Sequence, residues 1–157
     1  MGETNRGDTA SMIYWKNNKH YIIEFLYNSI LIYNMFEYEL YASIEIKEPH
    51  KSGYIHNQQY LLAISDNNTV SIWDLINLNL LEEIKHECTQ GFDIIPWNNR
   101  YTLFSTNSFI YVLNNNDYSL KKIKGKIKGM KKIIINGLGE CLIGSEKSGN
   151  IQLYKFN

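Results

Sequence analysis

Tyr60-Leu-Leu-Ala-Ile-Ser-Asp-Asn-Asn-Thr-Val-Ser-Ile-Trp-Asp74 is the stretch whose reading decides the fold. Two runs rich in apolar and β-branched side chains flank the polar triplet Asp66, Asn67 and Asn68. Asn and Asp tolerate the left-handed backbone of tight turns, so the stretch reads as a β-hairpin. Its second strand alternates polar and apolar side chains, the period of two that a strand imposes.

The same shape recurs along the chain. Tyr21 to Tyr33, Arg100 to Leu113 and Glu140 to Tyr154 each hold two strand-like runs around a polar turn. Aligned on the bulky residue that closes the second strand, the copies fall at Tyr33, Trp73, Leu113 and Tyr154, spacings of 40, 40 and 41. Each hairpin is followed by a further short strand, at Glu39 to Ile46, Leu80 to Lys85 and Ser119 to Lys124. A polar connector then leads to the strand that opens the next unit, at Gly53 to His56, Gly91 to Pro96 and Lys131 to Ile135, with Met12 to Trp15 opening the first. No window shows helical periodicity, so the chain is expected to be all-β. Self-similarity at about 40 residues with four short strands per unit is the signature of a propeller blade.

In these residues the chain resembles the WD40-repeat β-propeller family. Thr69-Val-Ser-Ile-Trp73-Asp74-Leu, followed by Leu80 to His86, looks like that family's hairpin, its Trp-Asp dipeptide and the outer strand leading to a histidine. The resemblance runs from Met12 onward as a period, while the literal dipeptide occurs once. Elsewhere it reads Tyr33-Asn34, Leu113-Asn114 and Tyr154-Lys155, and the glycine before the family's histidine is missing. The resemblance implies a divergent set of about four WD40-like blades at roughly 12–46, 53–85, 91–124 and 131–157, behind a polar segment at 1–11. The last blade stops after its third strand. Three outcomes follow: a piece of a ring completed by another chain or a copy of itself, an open arc whose ends a partner covers, or a truncated product. The open arc or partial propeller is the preferred expectation, because each repeat buries its core only against its neighbours.

The resemblance also implies a hydrogen-bonded network within the second blade, formed by His50, Ser65, Asn67 and Trp73. A buried indole N–H and an imidazole both need partners, so such a network fixes register. In the third blade His86 survives, but Leu113 replaces the aromatic residue. These histidines are therefore read as structural. Partners of the family dock on the connectors before each first strand and on the hairpin turns. Carried over, that surface comprises His50, Lys51, Asn67, His86, Thr89, Asn107, Lys126, Lys128 and Lys147.

Composition excludes several functions. Sixteen Lys and Arg balance sixteen Asp and Glu, which argues against nucleic-acid binding through bulk charge. The charge is split, however. Residues 1–90 carry twelve acidic and six basic side chains (net −6), and residues 91–157 carry four and ten (net +6). An acidic half facing a basic half allows head-to-tail self-association, although an ordinary solvated surface explains both. Two distant cysteines, Cys88 and Cys141, make no disulfide framework and suit a reduced, cytoplasmic chain. Met1 to Ser11 lacks the apolar core of a signal peptide, and no run approaches the roughly 20 apolar residues of a membrane helix.

The most pointed local feature is Lys121-Lys-Ile-Lys-Gly-Lys-Ile-Lys-Gly-Met-Lys-Lys132. Lys122, Lys124, Lys126 and Lys128 alternate, so on one extended strand they share a face that would attract phosphates of a phosphoinositide membrane or RNA. The plainer reading is an edge strand guarded by lysines against edge-to-edge pairing. No histidine or cysteine spacing suits a metal, no phosphate-binding glycine motif is present, and no nucleophile pairs with a base. No cofactor and no catalysis are expected. The sequence reads as a protein-interaction scaffold, with the anion-binding lysine strand as the alternative.

Overall fold

The computed structural model describes residues 10–15, 19–65, 67–88, 90–146 and 148–155. Within them lie fifteen strands and no helix. The first sheet is β1 (Ala10–Trp15), β2 (Lys19–Phe25), β3 (Ser29–Asn34) and β4 (Glu39–Glu45). The second is β5 (His50–His56), β6 (Tyr60–Ser65), β7 (Thr69–Asp74) and β8 (Asn79–Lys85). The third is β9 (Gly91–Pro96), β10 (Tyr101–Thr106), β11 (Phe109–Asn114) and β12 (Leu120–Lys124). The fourth holds β13 (Gly129–Ile135), β14 (Gly139–Ser145) and β15 (Ile151–Lys155). Every sheet is an antiparallel meander in chain order, and the first strand of each sits beside the first strand of the next. The arrangement is a partial β-propeller that does not close.

Apolar residues form one core per sheet–sheet interface. Ile23, Phe25, Ile32 and Ile44 of the first sheet pack on Leu61, Ala63, Trp73 and Leu75 of the second. Leu62, Ile64, Val70 and Ile72 turn the other way onto Ile94, Phe104, Tyr111 and Leu113. Leu103 and Ile110 meet Ile127 of the connector before β13 and Met130 and Leu142 of the fourth sheet. A sandwiched sheet buries both faces of its strands, so β6 is buried from Leu61 to Ser65 and β7 along its whole length, its polar Thr69, Ser71 and Asp74 included. At the ends of the arc the pattern reverts to alternation: β2 and β3 bury every second residue, and in β15 Ile151 is 71% exposed.

Two devices hold neighbouring sheets close near the axis. Gly53 on β5 and Gly91 on β9 lie where a side chain of the preceding sheet presses in. A Cβ on Gly53 would stand 2.9 Å from Phe25, and one on Gly91 would stand 2.4 Å from Ile64. Asp93 on β9 bridges three sheets. Its Oδ1 accepts from the Ser52 hydroxyl at 3.0 Å, and its Oδ2 accepts from the Met130 backbone N–H at 2.8 Å.

The turn between third and fourth strands repeats with the chain. Asp74 Oδ1 accepts from the Ile76 N–H at 2.8 Å, Asn34 Oδ1 from Phe36 at 3.0 Å, and Asn114 Oδ1 from Asn116 at 3.1 Å. The fourth residue of each turn, Tyr38, Leu78 or Tyr118, adopts the left-handed region with φ of 54°, 56° and 58°. The second position of the Trp-Asp dipeptide thus performs one task in three sheets, as an acceptor that closes an Asx turn. Asn accepts in the same geometry as Asp. What the sequence presents as two degraded copies are working ones.

Several boundaries differ from the sequence reading. β1 begins at Ala10 rather than Met12, β5 at His50 rather than Gly53, and β13 at Gly129 rather than Lys131. His50 is therefore a strand residue paired with Ser65 across β6, not a connector residue.

Candidate binding site

The connectors that enter each first strand and the hairpin turns between second and third strands lie on one face of the arc. Between the third and fourth sheets they enclose a cavity of about 490 Å³, lined by Gln90, Phe92, Asn107, Lys126, Lys128, Glu146 and Ser148. Its walls are set by local chemistry. Thr106 Oγ1 accepts from the Phe109 N–H at 3.0 Å and donates to the Phe109 carbonyl at 2.9 Å, which fixes the turn carrying Asn107. The Asn107 N–H reaches the Gln90 carbonyl at 3.1 Å, tying that turn to the connector beside it. On the opposite wall the Lys128 N–H donates to the Ser145 carbonyl at 2.8 Å. Glu146 organises the last hairpin by accepting from Ser148 at 3.0 Å, Asn150 at 3.4 Å and Gln152. The Lys128 ammonium stands 5.4 Å from the centre of the Phe92 ring, an apolar and cationic pair at the mouth. The site offers two ammonium groups, one carboxylate, two amides and an aromatic ring. With the Ser148 hydroxyl held on Glu146, that set suits the polar backbone and side chains of a peptide.

Of the residues carried over from the resemblance, this cavity brings together Asn107, Lys126 and Lys128. Thr89 and Lys147 lie outside the described residues. Asn67 is exposed at the turn of the second sheet and Lys51 is half-buried on β5. His50 and His86 are only 8% and 5% exposed. Sequence reasoning missed Gln90, Phe92, Glu146 and Ser148. Two of these were detectable, because Glu146 and Ser148 flank the fourth copy of the turn that holds Asn67 and Asn107.

The network of the second sheet is arranged differently from expectation. His50 Nε2 pairs with the hydroxyl of Ser71, on β7, at 3.0 Å. Ser65 instead accepts from the Asn67 N–H at 3.2 Å and donates to Glu48 at 3.3 Å. The Trp73 indole nitrogen is buried with no hydrogen-bond partner. The ring is held by packing in the first core, not by a relay. Burial pushes the His50 pKa down to about 4. His86 lies against Phe104 and Tyr111, with ring centres 5.3 and 5.5 Å away, and neither of its nitrogens has a partner. Burial lowers its pKa to about 4 as well. Loss of the third-sheet network thus turns that histidine into an aromatic packing element.

The lysine run does not form one face. β12 is the edge strand of the third sheet and ends at Lys124. Lys122 there pairs with Glu87 at 2.6 Å, and its ammonium stands 5.1 Å from the Phe109 ring centre. Lys126 and Lys128 belong to the connector beyond, where the chain turns inward from the edge strand to β13, and they line the cavity. Lys132 reaches Glu140 at 2.7 Å and the Trp97 carbonyl at 2.6 Å.

A second cavity, of about 340 Å³, opens on the opposite face between the second and third sheets. Tyr54, Thr102 and Asn115 form a hydrogen-bonded chain beside it, at 2.5 and 2.6 Å. Among the described residues no group of three or more His, Cys, Asp or Glu is placed to hold a metal, and no helix is long and apolar enough to cross a membrane.

No protein-family profile and no curated protein sequence matches the chain. Among solved structures it is similar to U3-55K, a WD40 β-propeller protein, with a TM-score of 0.75 at 12% sequence identity. The likeness covers 92% of this chain and 45% of that one, so the chain spans less than half of the propeller it matches. At that identity the likeness is one of fold: the chain has the architecture of consecutive WD40-type propeller blades.

Proposed function

We propose that this chain is a non-catalytic protein-interaction scaffold of WD40 type, working in the cytoplasm and divided into the four blades read from its sequence. Its binding face is the one built from connectors and hairpin turns. The observation that carries this reading is the cavity between the third and fourth sheets. Side chains from four separate segments converge there, and each segment is fixed by its own backbone hydrogen bonds. A preformed concave site with a few convergent polar groups is the usual form of a recognition site. The propeller fold supports the same reading.

The test is site-specific photo-crosslinking in cells. A crosslinking amino acid placed at Asn107 is expected to trap a defined partner, and Lys126→Glu with Lys128→Glu is expected to remove that adduct. The same amino acid placed at Asn116, on the opposite face, serves as control. Equal trapping from both positions, or trapping indifferent to the two lysine changes, refutes the assignment.

A further inference from the structure

We propose that the outer rim of the first two sheets docks a basic amphipathic segment of a protein partner. The rim is separate from the cavity, so either surface can fail while the other stands.

Phe36, Tyr38 and Leu40 are exposed where the first sheet turns into its outer strand, and Tyr38 is 86% exposed. The same positions 40 residues on, Ile76, Leu78 and Leu80, are exposed on the second sheet. These side chains sit on the strands and turns farthest from the axis, which neighbouring sheets of a propeller do not cover. The row ends at the third sheet. There Asn116 takes the place of Phe36 and Ile76, while Tyr118 and Leu120 pack into the second core.

One backbone feature, a bulge in each outer strand, aims the row outward. In β4 the partners step from Ile32–Ala42 to Tyr33–Leu40, and in β8 from Ile72–Glu82 to Trp73–Leu80. Each step leaves an extra residue, Tyr41 or Leu81, and both are exposed. A bulge is how a strand re-aims side chains at its edge. Tyr38 and Leu78, like Tyr118 in the third sheet, hold left-handed φ values, a strained conformation for a bulky residue. Asn or Gly would avoid that strain. A strained, exposed aromatic gains nothing from the fold's own packing, whereas a docked partner would bury it.

The charge around the row selects the partner. Glu37, Glu39, Glu45, Glu82 and Glu83 are exposed among these apolar residues and outnumber the two lysines nearby, Lys47 and Lys85. An apolar stripe within an acidic field matches a segment with one apolar and one basic face.

The experiment uses two fluorescein-labelled synthetic amphipathic helices, each with Leu along one face, one with Lys and the other with Glu on the polar face. The Lys helix is expected to bind the full chain, more weakly as salt rises, and the Glu helix is expected not to bind. Tyr38→Asn with Leu78→Asn is expected to weaken the Lys helix about tenfold or more. Asn suits the left-handed positions, so this variant keeps its circular dichroism spectrum and urea midpoint. Ile134→Ser with Ile151→Ser, at the far end of the arc, is expected to leave binding unchanged. Equal binding of both helices, no binding, or unaltered affinity in the rim variant overturns the proposal. A salt-sensitive doubling of particle mass without peptide would assign the rim to a second copy of the chain and overturn it too.

Discussion

Replacing Asp74 separates the part of the Trp-Asp dipeptide that the fold requires from the part it merely contains. The carboxylate accepts from the Ile76 N–H at 2.8 Å and from the Asn77 side-chain amide at 2.7 Å. It has longer contacts to the Asn77 N–H at 3.4 Å and the Gln59 amide at 3.5 Å. Burial pushes its pKa up, but these donors outweigh that and hold it below the ordinary 3.8. Hydrogen bonds to a charged acceptor contribute roughly 1.5–3 kcal/mol each when fully buried. Ile76 and Asn77 are exposed enough for water to replace part of the loss. Asp74→Ala is therefore expected to cost about 2–3 kcal/mol, a fall in Tm of roughly 5–10 °C for a domain of this size. Asp74→Asn keeps the Oδ1 acceptor, as Asn34 and Asn114 do in the neighbouring sheets, and should cost about 1 kcal/mol. Urea unfolding followed by tryptophan fluorescence reads both. If Asn costs as much as Ala, or Ala costs less than about 0.5 kcal/mol, the turn is not what that position provides.

Gly91→Ala places a methyl group 2.4 Å from Ile64 Cγ1 and 2.8 Å from the Ser65 carbonyl, so it should destabilise by about 2–3 kcal/mol in the same urea assay. Gln58 is exposed with φ of 55°, next to Asn57 at 49°, in the three-residue turn that joins β5 to β6. The matching turn of the fourth sheet uses Gly137, and Gln58→Gly should raise stability by about 0.5–1 kcal/mol. His50 and His86 have folded pKa values of about 4 against an ordinary 6.5, so the unfolded chain binds more protons between those values. Stability is therefore complete above about pH 6.5 and falls as pH drops toward 4, by up to roughly 3 kcal/mol per imidazole. His86→Phe, which replaces an unpaired ring packed on aromatic rings, should flatten part of that slope. Urea midpoints at a series of pH values would show it, and an unchanged slope would contradict the burial of His86.

The 40-residue register was legible because it rests on local signals: polar turns with Asn and Asp, and short β-branched runs. Strand pairing followed from them, down to Tyr60 opposite Asp74. What was not legible depends on how sheets face one another. Ser65 and Ser71 are both serines on strands of the same hairpin, and only the direction in which His50 packs selects Ser71. The lysine alternation correctly marked an edge strand, but a period of two does not say where a strand ends. Here it ends at Lys124, just before Gly125, where a Cβ would stand 2.8 Å from the Tyr154 hydroxyl and 3.1 Å from Ile110, so the chain turns inward beneath the next sheet. The cavity escaped notice for the same reason. Phe92 reads as one more apolar strand residue until the fourth sheet is placed against it.

Native-state amide hydrogen exchange tests the central structural claim most directly, namely an open arc in which the two middle sheets are sandwiched and the end sheets are not. Protection is predicted to be highest in β6, β7 and β10, whose residues are buried almost throughout, and in β11, which has no exposed residue, and lowest in β4 and β15. Uniform protection across the four sheets, or slowest exchange in β15, would contradict it.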